Sequence, residues 1–108
     1  MPEIPQKPTL PDLQKYQKEL CVERGWDKAT DLETFLLFSE EVGELAKAIR
    51  HRKKIFTESG KKIKENELES EFADVFSYLL ELSNKFEIDL EESFRRKEAV
   101  NATRNWDN

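Results

Sequence analysis

Apolar residues recur along the chain at helical spacing. From Asp31 to about Lys54, Phe35, Phe38, Val42, Leu45 and Ile49 follow at steps of 3, 4, 3 and 4, the period of a helix with one face in a bundle seam. Leu32, Leu36, Gly43 and Ala46 form a second apolar flank and Leu37 with Ala48 a third, so one partner helix cannot cover this element. A further helix begins near Asn66 and Glu69, which fit a capping-box start. It carries Leu68, Phe72, Val75, Leu79, Leu82 and Phe86 at steps of 4, 3, 4, 3 and 4. Ahead of these, Thr9 suits an N-cap and Pro11 a first turn, with Leu10, Leu13, Gln17, Leu20 and Cys21 as a weak stripe ending at Gly25. Asp31 is the expected cap of the second helix. Asp89 and Glu92 form another cap, followed by a shorter helix bearing Leu90, Phe94 and Val100.

Nothing in this pattern builds hairpins. The chain has three glycines, and its four prolines all precede residue 12. The expected fold is therefore all-α, a four-helix-type bundle. At 108 residues it reads as one domain too small to bury much of its surface alone, hence a bundle completed by homo-oligomerisation. The expected division is an extended arm over residues 1–8, a helical domain over 9–104 and a tail over 105–108.

Charge narrows the partners. A net charge of −5 and a pI near 5.0 argue against a nucleic-acid or anionic-membrane partner. No apolar run approaches the roughly 18 residues needed to cross a bilayer. Cys21 is alone and the amino terminus shows no charged-then-apolar pattern, so the expected setting is cytoplasmic and reducing. The link from Arg50 to Lys64 is strongly basic, with His51, Arg52, Lys53, Lys54, Lys61, Lys62 and Lys64. It reads as a solvated connector or as a lid meeting phosphates. His51 is expected to be exposed, and with no second histidine a zinc site is not indicated.

The acids carry the chemistry. Glu41 with Glu44 and Glu71 with Asp74 are pairs three residues apart, a spacing that points two carboxylates one way on a helix. Such pairs usually lie on a solvated face, but here Leu37 and Ala48 bracket the first pair on one line. Two pairs on facing helices would form an all-oxygen cage suited to Mg²⁺, Mn²⁺ or Ca²⁺. Gly43 beside them is either tolerated or marks the close approach of a backbone or bound group. Trp26 is expected as a core plug, the alternative being a ring that stacks on a base. Lys97, Asn101 and Arg104, at i, i+4 and i+7, form a wet face or a phosphate grip. A di-iron bundle would need Glu-x-x-His pairs, which are absent. A non-catalytic helical dimerisation module remains as the alternative to an enzyme, although it gives no reason for acids on semi-buried lines.

Glu40-Glu41-x-x-Glu44, then 26 residues, then Glu71-x-x-Asp74 resembles the signature of the all-α nucleoside triphosphate pyrophosphohydrolases of the MazG type. The Glu-Arg-Gly-Trp run, the Glu-Val-Gly-Glu-Leu run and the Lys97, Asn101, Arg104 series are similar to the compact MazG-like and dCTP-pyrophosphatase-like members. The resemblance covers roughly Thr9 to Arg104 and is least in the basic link. It implies a homodimer or homotetramer with Mg²⁺, or Mn²⁺ in its place, on Glu41, Glu44, Glu71 and Asp74. Glu40 would support the site or, with Glu41, serve catalysis as base for the attacking water. Lys97, Asn101 and Arg104 would contact phosphates or sugar, and Trp26 the base. The implied reaction is hydrolysis of a nucleoside triphosphate to monophosphate and pyrophosphate, in nucleotide-pool house-cleaning.

Overall fold

The computed structural model describes residues 1–58, 60 and 64–106. Lys61 and Lys62 of the basic link, and Asp107 and Asn108 of the tail, lie outside the described residues. Among the described residues the elements are α1 (Leu10–Arg24), a single 3₁₀ turn (Trp26–Lys28), α2 (Asp31–Arg52), α3 (Glu67–Lys85) and α4 (Leu90–Asn101), with no strand. No helix there is long and apolar enough to cross a membrane.

Local chemistry sets most helix ends. Thr9 and Asp12 form a reciprocal capping box at the start of α1, and Pro11 sits in its first turn. Gly25 ends α1 in the left-handed region at φ 73°, a conformation that costs glycine little. The cap of α2 is Thr30 rather than Asp31: the Thr30 hydroxyl accepts from the Glu33 amide and the Glu33 carboxylate accepts from Thr30 N. The Thr30 amide, and after it the Thr30 hydroxyl, hold the Glu33 carboxyl below its usual range. Helix α2 ends at Arg52, two residues short of the expected Lys54, where the Arg50 guanidinium turns back to donate to the carbonyls of Ile55 and Phe56. Asn66 precedes α3 but makes no side-chain cap, because it lies at φ 59°. Asp89 caps α4 as expected, accepting from Glu92 N at 2.9 Å.

Helices α2 and α3 pack most extensively, with α1 across the C-terminal half of α3 and α4 against α1. The α2–α3 pair is antiparallel, since His51 and Arg52 at the end of α2 meet Glu67 and Glu69 at the start of α3. His51 is buried, contrary to expectation, with Nδ1 3.1 Å from Glu67 Oε1. It joins two helix ends that lie side by side.

The face that α2 turns inward is not the large apolar stripe. Its buried residues are Thr34, Ala48 and His51, and Glu41 lies midway between Thr34 and Ala48 on the same heptad line. Phe35, Val42 and Ile49 are left more than two-fifths exposed, as are Phe72 and Phe86 on α3. Small side chains let α2 approach α3 closely; Phe38 and Leu45 of the stripe are half-buried beside them, and Phe35, Val42 and Ile49 are turned outward. An added Cβ at Gly43 would meet nothing within 4 Å, so no group among the described residues makes the close approach considered there. Among the described residues the buried apolar ones are Leu20, Cys21, Ala48 and Leu80. The accessible surface of 8828 Å² exceeds the roughly 6,300 Å² expected of a compact monomer of this mass. The radius of gyration, 17.1 Å, likewise exceeds the ~13 Å of a compact chain of this length.

A buried amide staples the remaining elements. Gln14 Nε2 donates to Ser83 Oγ and the Ile88 carbonyl at 2.9 and 2.7 Å, while its Oε1 accepts from Leu90 N at 3.1 Å. Asn84 returns a bond to the Gln14 carbonyl. One side chain thus ties α1 to the end of α3, the following loop and the start of α4. Gln14→Leu keeps the volume but strips these partners, and should cost about 2–3 kcal/mol, or roughly 10–20 °C in melting temperature for a domain of this size. Thermal denaturation followed by circular dichroism checks this, with a shift under about 3 °C counting against the staple.

Candidate functional site

On α3 two lines run side by side, offset by one residue. The apolar line from Leu68 to Phe86 is accompanied by Glu67, Glu71, Asp74, Tyr78, Glu81 and Lys85, at steps of 4, 3, 4, 3 and 4. The polar line faces α2 and the end of α1, and it carries the site. Glu67 holds His51. At the other end, Lys85 Nζ donates to the carbonyls of Asp27 and Ala29, which fixes the 3₁₀ turn after α1 against α3.

Between these anchors, one carboxylate oxygen from each of Glu41, Glu71 and Asp74 lies within 4.8 Å of the others. Glu41 and Glu71 are half-buried and Asp74 is exposed. Among the described residues no cation forms an ion pair with any of them. Burial, then the charges of Asp74 and Glu71, raise the Glu41 carboxyl above its usual range. Glu71 Oε2 is fully buried without a hydrogen-bond partner, an arrangement that native proteins seldom leave uncompensated. Converging carboxylates with one orphaned oxygen fit a hard divalent cation, whose preferred ligands are all oxygen.

The structure brings three of the four expected ligands together. Glu44, one turn along α2, is exposed and outside the gathered set, although its charge contributes the smallest part of the rise at Glu41. Glu40 is exposed on α2 beside Glu41, also outside the set.

A cleft of about 240 Å³ opens beside the acids, with Glu41, Asp74, Tyr78, Glu81, Arg24 and Trp26 among its walls. Trp26 is not a core plug: it is 49% exposed, because the left-handed Gly25 swings it out of the α1 axis and onto the rim. The Arg24 guanidinium lies 4.9 Å over its ring. Arg24, Tyr78 and Glu81 were not expected site residues. The signal for the last two was available, since they continue the Asp74 line by 4 and 3 residues; the position of Arg24 depends on the turn at Gly25.

Lys97, Asn101 and Arg104 do not line this cleft. Helix α4 packs on α1, leaving Lys97 exposed and Arg104 stacked on Trp106 at 4.6 Å. Asn101 Nδ2 donates to Glu98 at 3.2 Å, while Asn101 Oδ1 is buried without a partner.

Residues 29–103 match the family model described as the MazG nucleotide pyrophosphohydrolase domain. A comparison with curated proteins finds no match. The matched span contains α2, α3 and α4 and all three gathered acids, whereas α1 and Trp26 precede it. A domain of this kind implies a nucleotide substrate and suggests pyrophosphohydrolase activity, typically metal-dependent, and the acids of the α2–α3 pair are a donor set suited to that. Matched over most of its 108 residues, the chain belongs to the MazG nucleotide pyrophosphohydrolase family.

Proposed function

We propose that this chain hydrolyses a nucleoside triphosphate between its α- and β-phosphates, releasing the monophosphate and pyrophosphate, with Mg²⁺ as cofactor and Mn²⁺ able to replace it. The observation that carries the reading is the convergence of Glu41, Glu71 and Asp74 beside a cleft walled by Trp26, within and just ahead of the matched domain.

In this reading Glu41, Glu71 and Asp74 hold the cation, joined by Glu44 once its side chain swings toward the set. Bound there, the cation offsets charge on the phosphate oxygens and lowers the pKa of coordinated water. Glu40, or Glu41 itself, takes the proton of the attacking water. Trp26 stacks on the base, Arg24 supplies a positive charge at the cleft wall, and the paired helices keep these groups in register. No covalent nucleophile is needed. House-cleaning of the nucleotide pool is the corresponding role.

The active form in this reading is a homodimer or homotetramer. Its support is the uncovered apolar surface: Phe35, Val42 and Ile49 on α2 with Phe72 and Phe86 on α3 are placed for a second copy of the chain. Assembly also offers Lys97, Asn101 and Arg104 a role, since a series remote from its own cleft can reach phosphate or sugar in a neighbouring one.

With Mg²⁺, the protein should release pyrophosphate and monophosphate from at least one common or modified nucleoside triphosphate, and chelation should abolish this. Glu71→Gln and Asp74→Asn should each lower kcat/KM by at least about a hundredfold, the scale of losing a charge-stabilising group. Release of single phosphates would place cleavage at the wrong bond; no turnover on any triphosphate would return the chain to the dimerisation module.

Light scattering at micromolar concentration should report a dimer or tetramer, and Val42→Asp should weaken it by placing a charge in the apolar face. A folded wild-type monomer at that concentration would contradict the assembly.

A further inference from the structure

Glu81 is a second kind of acid on the polar line of α3. It stands seven residues beyond Asp74, about 10 Å along the helix at 1.5 Å per residue, and is only 7% exposed. Its side chain forms part of the cleft beside Glu41 and Asp74, of the adjoining hollow under Gly25 and Leu37, and of the hollow beside Lys18 and Cys21. Yet among the described residues its carboxylate receives no hydrogen bond from a nitrogen or oxygen donor and forms no ion pair. Lys85, one turn on, spends its ammonium on the carbonyls of Asp27 and Ala29. The Cys21 thiol stands beside it, a weak donor. Burial raises the Glu81 carboxyl above its usual range, with Lys85 opposing.

The Glu81 oxygens open into these hollows rather than being sealed in the core, so their hydrogen-bond donors must come from whatever occupies the cleft. Tyr78 and Trp26 share its cleft, so a flat ring entering there would meet aromatic walls and present its edge to Glu81. The metal-ligand acids would then lie at the phosphate end and Glu81 at the base end, a separation comparable to the length of a nucleotide from α-phosphate to base edge. An ionised carboxylate accepts only. It therefore suits an exocyclic amino group, as carboxylates do in accepting from cytosine N4, and repels a carbonyl oxygen in the same place.

We propose, resting on the pyrophosphohydrolase reading above, that Glu81 is a specificity-determining residue that selects triphosphates whose base carries an amino group where uracil or hypoxanthine carries a carbonyl. The complement is one of hydrogen-bond polarity: acceptor on the protein, donor on the base. An amide at this position would offer both and lose the distinction.

Two substrate pairs that differ at this one substituent test the assignment: CTP against UTP, and ATP against ITP. For the wild type, kcat/KM should favour the amino member by roughly tenfold to a hundredfold in whichever pair is turned over better, the scale of one hydrogen bond to a charged group. Glu81→Gln should bring that ratio to within about threefold of unity while Mg²⁺ dependence and oligomeric state persist. Its melting temperature should not fall, since no hydrogen bond or ion pair from a protein nitrogen or oxygen is lost with the charge. Glu81→Asp, with a shorter reach, should lower kcat/KM yet keep the direction of preference. Turnover with the same ratio in wild type and Glu81→Gln, or a wild type that prefers the carbonyl members, would overturn the assignment and leave hydrolysis standing. A wild type that cleaves none of the four nor any other triphosphate would instead remove the underlying reading, and this inference with it.

Discussion

Glu41, Glu71 and Asp74 repel one another, and the α2–α3 pair holds them together all the same. That repulsion is what the rest of the chain must offset. The means lie on either side of the acids: Thr34 and Ala48 pack α2 closely on α3 either side of Glu41, and His51 with Glu67 and Arg52 with Glu69 fasten the hairpin at one end. At the other end Lys85 draws the turn bearing Trp26 onto α3. The acids are thus presented on rigid helices, which is what a metal centre requires of its ligands. The raised Glu41 carboxyl and the orphaned Glu71 oxygen are two signs of the same unbalanced charge.

Much of the architecture was legible in the sequence because it is local. Thr9, Gly25 and Asp89 act through bonds to residues within a few positions of themselves, and the all-helical class follows from spacing and the scarcity of turn formers. The cap at α2 was misplaced by one residue because Thr30 and Asp31 are both good caps, and only the Thr30–Glu33 exchange decides between them. Asn66 failed as a cap because of its backbone angle, which no residue type discloses.

The core was the harder reading. Periodicity identifies an apolar stripe without saying which chain covers it. Phe35, Phe38, Val42, Leu45 and Ile49 form the strongest stripe of α2, yet only Phe38 and Leu45 of them are half-buried, and the most buried line runs along Thr34, Ala48 and His51. On α3 the acids Glu71 and Asp74 were legible beside the apolar line, but not that Glu67 and Lys85 at the ends of the same line anchor His51 and the turn after α1. Spacing found Glu41, Glu71 and Asp74 because acids three residues apart share a face. Tyr78 and Glu81 extend the Asp74 line by the same spacing, whereas Arg24 became a site residue only through the turn at Gly25, and His51 was buried by a helix pairing that its own neighbours do not announce.

Thermal denaturation of the wild type and Asp74→Asn, each with and without Mg²⁺, tests most directly whether the gathered acids form a metal centre. Without metal the variant should be as stable as the wild type or more so, because a like charge has been removed. Mg²⁺ should stabilise the wild type by about 2.7 kcal/mol at a hundredfold excess over its dissociation constant and the variant much less. A metal-free variant clearly less stable than the wild type, together with a wild type indifferent to Mg²⁺, would make these acids structural and contradict the account.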